Sequence, residues 1–103
     1  MRATVMDVLQ ANSLVIRETW QYHGRHGCLI AFPGFKPPRL SEPGGLCARY
    51  RVLLLLMGSQ IEITEFHGVE DEHLICDAWF RGKSVPKYFP QYLSGVVPRS
   101  MAP

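Results

Sequence analysis

Hydrophobic and polar positions alternate in short blocks along most of this chain, and the blocks predict a β-rich fold. Thr4 to Leu9 is apolar-rich and Leu14 to Tyr22 carries β-branched and aromatic residues, so both read as strands. His23-Gly24-Arg25-His26-Gly27 sets two glycines between apolar runs and predicts a hairpin turn, with a third strand over Cys28 to Phe32. Pro33-Gly34 and Pro37-Pro38 then force a loop, because proline brings no amide hydrogen to a ladder. At Pro43-Gly44-Gly45 the pattern changes. Leu46 to Met57 is filled with good helix formers, and Gly58 stands where a left-handed glycine ends a helix. Gln60 to Phe66 returns to period two, with Ile61 and Ile63 set against Glu62 and Glu65. His67 to Glu72 reads as a polar acidic turn and Leu74 to Phe80 as the fifth strand. Ser84 is placed to cap a second helix with Pro86 in its first turn, and Pro90 shortens or kinks it. Residues 96–103 read as an extended tail behind a single domain over 1–95.

The helix carries the first functional hint. Val52-Leu53-Leu54-Leu55-Leu56-Met57 is apolar in every direction around the axis, and such a helix is expected to be buried on all sides. Burial on that scale implies a partner, either a second copy or another subunit, with Leu53, Leu56, Met57, Phe89 and Tyr92 as the contact residues. The competing reading has Leu93, Val96, Val97 and the tail covering the helix within one chain.

Composition narrows the class. With 103 residues, 47% of them apolar, the chain supports one folded core. A net charge of +2 does not by itself imply nucleic acid. Its distribution matters more, because the lysines and arginines lie outside residues 52–80 while Glu62, Glu65, Glu70, Asp71, Glu72 and Asp77 crowd into that window. Cys28, Cys47 and Cys76 are odd in number and widely spaced, which points to free thiols in a reducing intracellular compartment. The apolar run over residues 52–57 is far short of the ~20 needed to span a bilayer, and no membrane partner is expected.

Few constellations carry chemistry. His23 and His26 with Cys28 lie in a hairpin turn rather than at helical spacing, so a polar turn is preferred to a metal site, and no cofactor is implied. Cys47 at a helix start is read as a small apolar residue rather than an activated thiol. Arg17, Arg25, Lys36, Arg39, Arg81 and Lys83, interleaved with Trp20 and Tyr22, are the candidates for contact with single-stranded DNA or RNA. Strand alternation places Trp20 and Tyr22 on the face opposite Arg17, which weakens a shared stacking surface.

Three strands, a helix, two strands and a helix fit a five-stranded Greek-key barrel of the oligonucleotide-binding type. Five collinear segments resemble the staphylococcal nuclease-like family: Val8 to Ile16, Leu29 to Pro38, Glu42 to Ala48, Ile61-Glu62-Ile63 and Asp77 to Val85. The resemblance covers residues 4–95 and implies that barrel. It also implies a calcium-dependent phosphodiesterase site of two aspartates, a glutamate and two arginines. In this chain those positions fall on Asn12, Phe35, Pro38, Ile30 and a point near His73. Calcium requires several oxygen ligands and phosphoryl transfer requires fixed positive charge. Residues 27–35 contain no Asp, Glu or Arg, so a small shift of register supplies neither. The expectation is therefore a catalytically inactive module that binds protein or nucleic acid. The alternative is a divergent phosphodiesterase recruiting Asn12, Asp7, Asp77 or His73.

Overall fold

A computed structural model describes residues 1–93. Six strands form: β1 (Arg2–Gln10), β2 (Ser13–Tyr22), β3 (Arg25–Ala31), β4 (Gln60–Glu70), β5 (His73–Phe80) and the short β6 (Lys83–Ser84). One α-helix, α1 (Gly45–Leu56), lies between β3 and β4. The sheet order is β3-β2-β1-β4-β5-β6, and β3 also pairs in parallel with β5 through Leu29↔His73, Ile30↔Leu74 and Ala31↔Ile75. That pairing closes the first five strands into a barrel and leaves β6 outside it.

The alternation read from the sequence becomes burial. Val5, Val8, Leu14, Ile16, Ile30 and Leu74 face the barrel interior with none or 1% of their surface exposed. Burying such a side chain stabilises by about 1.5–3 kcal/mol before entropy is counted, so these positions hold the strands in register. Trp20 joins them, its Nε1–H donating to the Leu29 carbonyl at 2.8 Å. Gly27 makes room for the indole: a Cβ there would lie 2.9 Å from Trp20 Cζ2.

Three two-residue turns have both central residues at positive φ: His23-Gly24, Asp71-Glu72 and Arg81-Gly82. This is the turn whose twist matches paired strands. The Asp71-Glu72 turn lacks the usual glycine, with φ of 48° and 65°. Strands consequently run longer than the sequence suggests. β3 starts at Arg25 rather than Cys28, and β4 continues to Glu70 where an acidic loop was expected from His67.

The helix departs from expectation on its outer face. Gly45, Ala48, Val52 and Leu56 form its buried stripe, while Leu46, Tyr50, Leu54 and Met57 remain 65%, 55%, 71% and 45% exposed. An apolar circumference is thus not buried all round, because the helix packs on β1 along one side only. Gly45 begins the helix beneath the preceding loop, where a Cβ would stand 1.8 Å from the Arg39 carbonyl oxygen. Gly58, at φ 77°, ends it as expected.

The second expected α-helix does not form. Val85–Tyr88 and Pro90–Tyr92 are separate 3-10 turns. Pro90 lacks the amide hydrogen that would carry one into the other. This segment folds back onto the loop after β3, with Lys36 N–H donating to Tyr92 O at 2.7 Å and Phe35 bridging to Leu93. Val96, Val97 and the tail lie outside the described residues. Among the described residues, no helix is long and apolar enough to cross a membrane.

Candidate functional site

The β1–β2 turn, the loop following β3 and the β4–β5 turn meet at one end of the barrel. Between them lies an open cleft of about 600 Å³ lined by Asn12, Ser13, Lys36, Arg39, Asp71 and His73 among others. That volume suits a small molecule or a few residues of a peptide. Lys36, Arg39, Glu70 and Asp71 are all in the cleft's lining, which therefore carries two formal charges of each sign.

Asn12 was expected from the sequence at the place of a metal-binding aspartate, and its amide is committed elsewhere. Nδ2 donates to the Phe32 and Phe35 carbonyls, each at 3.1 Å, and Oδ1 accepts the Phe32 N–H at 2.7 Å. An aspartate could not donate those two bonds. Asn12 therefore ties the post-β3 loop to the β1–β2 turn, and its oxygen is occupied. Gln10 adds a further tie, its Oε1 accepting the Leu40 N–H at 3.0 Å.

Beside Asn12, Ser13 Oγ lies 2.7 Å from His73 Nε2, and His73 Nδ1 lies 2.7 Å from the Asp71 carbonyl oxygen. The carbonyl can only accept, so Nδ1 carries the hydrogen. In the neutral ring Nε2 then accepts from the Ser13 hydroxyl. Ser13, 8% exposed, is the buried polar residue of the described core.

The other residues singled out in the sequence scatter. Arg17 reaches Thr4 Oγ1 at 3.5 Å on the outer surface, and Arg25 sits at the β2–β3 turn. Arg81 stacks over Phe80 at 5.0 Å and Lys83 over Tyr88 at 4.7 Å, both beside the β5–β6 turn. Of the six basic candidates, only Lys36 and Arg39 share the cleft. Trp20 is interior and Tyr22 half-buried, so neither offers an open stacking face. Among the proposed contact residues, Leu56 and Phe89 belong to the core at 0% and 6% exposure. That corrects their assignment to an outer surface. Leu53 and Tyr92 are half-buried, with Tyr92 Oη accepting from Arg51 Nη1 at 2.7 Å, and Met57 is exposed. Of the alternative catalytic set, Asn12 and His73 line the cleft whereas Asp7 and Asp77 do not.

Sequence reasoning missed two groupings. Ser13 and His73 begin β2 and β5, and barrel closure brings those strand ends together across a separation of 60 residues. On β4 and β5, His67 Nε2 lies 3.1 Å from Asp77 Oδ1 and 4.0 Å from Glu65 Oε2, on the outer surface. The neighbouring buried Cys76 thiol is pushed up to about 12, chiefly by loss of hydration and in smaller part by the Asp77 charge. Compared with family models and with curated proteins, the chain matches none.

Proposed function

We propose that this chain is a protein-interaction module built on an oligonucleotide-binding-type barrel of the staphylococcal nuclease-like kind, without that family's calcium chemistry. The strand order supports the barrel reading, since β3 and β5 pair in parallel and a helix separates β3 from β4. The loss of calcium chemistry is supported by Asn12, whose side chain is taken up by Phe32 and Phe35, and by Phe35, which is core rather than a ligand.

The observation that carries the interaction reading is the second apolar stripe of α1. Leu46, Tyr50, Leu54 and Met57 recur at three- and four-residue spacing and are all substantially exposed. A partner helix or a second copy of this chain would bury them. Polyanion binding is the weaker reading, because the basic side chains do not converge and the acidic turn Glu70-Asp71-Glu72 stands beside the cleft.

Sedimentation velocity at micromolar concentration, with and without Leu54→Asp, tests the proposal for self-association. The expected result is a concentration-dependent dimer that the substitution converts to monomer with its fold intact. A monomer at all concentrations removes the second copy as occupant. An oligonucleotide that binds with a steep salt dependence would replace the proposal with the nucleic-acid reading.

A further inference from the structure

The Ser13–His73 pair has the parts of an activated nucleophile. A hydroxyl is a weak nucleophile until a base within about 2.6–3.2 Å takes its proton, and the base works best when a third group holds its ring in one tautomer. Here the hydroxyl-to-ring distance is 2.7 Å, and the Asp71 carbonyl fixes the ring at 2.7 Å on the other nitrogen. That carbonyl is presented by a turn whose two non-glycine residues are both at positive φ. Such backbone is costly and collects at functional sites. The pair also lines the open cleft of about 600 Å³. We propose that Ser13 is a nucleophile, with His73 as its general base and Asp71 O as the positioning group, acting on the acyl carbon of a small ester held in this cleft. The balanced charge of the lining favours a ligand without strong net charge.

Ser13 Oγ bonds to the acyl carbon while its proton passes to His73 Nε2. The carbon–oxygen bond to the leaving group breaks, and that oxygen takes the proton from Nε2. Water then attacks the acyl-serine, giving a proton to Nε2 and its oxygen to the acyl carbon. The carboxylic acid leaves and Ser13 recovers the proton. No metal or redox partner enters.

This inference does not depend on the α1 surface, and Leu54→Asp leaves the cleft untouched. The test uses the whole chain with a fluorophosphonate probe, which forms a phosphorus–oxygen bond to the serine and releases fluoride, read by intact mass and peptide mapping. p-Nitrophenyl acetate provides a turnover readout. The expected result is one adduct, on Ser13, with p-nitrophenol release abolished by Ser13→Ala. His73→Gln should slow labelling by about 100-fold or more, the scale of general-base assistance. The wild-type mapping decides even if a variant fails to fold: no adduct, or an adduct elsewhere, overturns the proposal. Unchanged labelling in folded His73→Gln overturns it equally, because a serine that merely ties two turns together would not depend on a base.

Discussion

Replacing Asn12 with alanine removes three hydrogen bonds at once, those to Phe32 O, Phe35 O and Phe32 N–H. Each contributes roughly 0.5–1.5 kcal/mol net, and a backbone group left dry costs more than the bond was worth. The site is partly open to water, which can replace some of these partners. The expected loss is therefore about 2–3 kcal/mol rather than the sum of the upper values. Urea unfolding followed by tryptophan fluorescence reads it directly, since Trp20 is interior. With a slope of roughly 1–3 kcal/mol/M, the midpoint should fall by about 0.7–3 M. Asn12→Asp gives a sharper contrast. The carboxylate keeps the bond to Phe32 N–H but faces two carbonyl oxygens where Nδ2 had donated. Its deficit should narrow on acidification, because a protonated acid recovers one donor, whereas the alanine variant's deficit should not. It should also fail to create calcium-dependent nuclease activity, which needs more than one restored ligand. A loss below about 0.5 kcal/mol for Asn12→Ala, or acquisition of nuclease activity by Asn12→Asp, would refute the assignment of Asn12 as a tie between turns.

The two faces of α1 should separate cleanly in denaturant melts of the monomer: Leu56→Ala, at 0% exposure, costs about 3 kcal/mol, and Leu54→Ala, at 71%, changes stability by less than about 0.5. Gly45→Ala should be more damaging than any surface change on that helix, because its Cβ would meet the Arg39 carbonyl at 1.8 Å, and circular dichroism would show loss of the folded state or a large drop in Tm. Titration with a thiol reagent at pH 8 should modify Cys28 and Cys47 quickly, while Cys76, buried and pushed up to about 12, reacts only on unfolding. The Thr4 N–H donating to Glu18 Oε1 at 2.7 Å holds that carboxyl below its usual range. A lowered folded value stabilises above the ordinary carboxylate pKa and is lost as pH falls through the folded one. Glu18→Gln keeps an acceptor for Thr4, so it should change neutral stability little and flatten part of the acid-side decline.

Local pattern carried the barrel strands and the helix well, because period-two alternation in Ile61, Ile63 and their neighbours translates directly into an inward and an outward face. It failed where the outcome depends on what lies alongside. Leu46 and Leu54 have the same hydrophobicity as Leu56, and only the position of β1 decides which one is covered. Ser84 and Pro86 do open a turn, but Ser84 makes no side-chain cap bond and Pro90 starts a separate turn instead of extending the first, so no α-helix forms. The acidic turn read over His67 to Glu72 shrinks to Asp71-Glu72, because a tight turn without glycine has no compositional mark of its place. In the cleft, Asn12 was legible as a departure from a family pattern, but its bonds to Phe32 and Phe35 were not. His73 was legible only as a candidate taken singly and Ser13 not at all, because nothing local in the sequence pairs two strand starts 60 residues apart.

Closing the barrel also governs how the chain must reach its native state. The β1–β2, β2–β3 and β4–β5 hairpins join neighbours in sequence and can form on the microsecond scale. The β3–β5 seam joins Leu29 to His73, 44 positions apart (73 − 29), and gathering a loop of that length costs about 3 kcal/mol of chain entropy before any contact rewards it. Folding should accordingly be slow for a chain this short, on the millisecond-to-second scale, with the seam zipping last. Until then β3 and β5 are both free edges, each able to capture a strand from another molecule. Refolding yield should therefore fall with protein concentration, although in the finished barrel Leu29, Ile30 and Ala31 are paired with His73, Leu74 and Ile75.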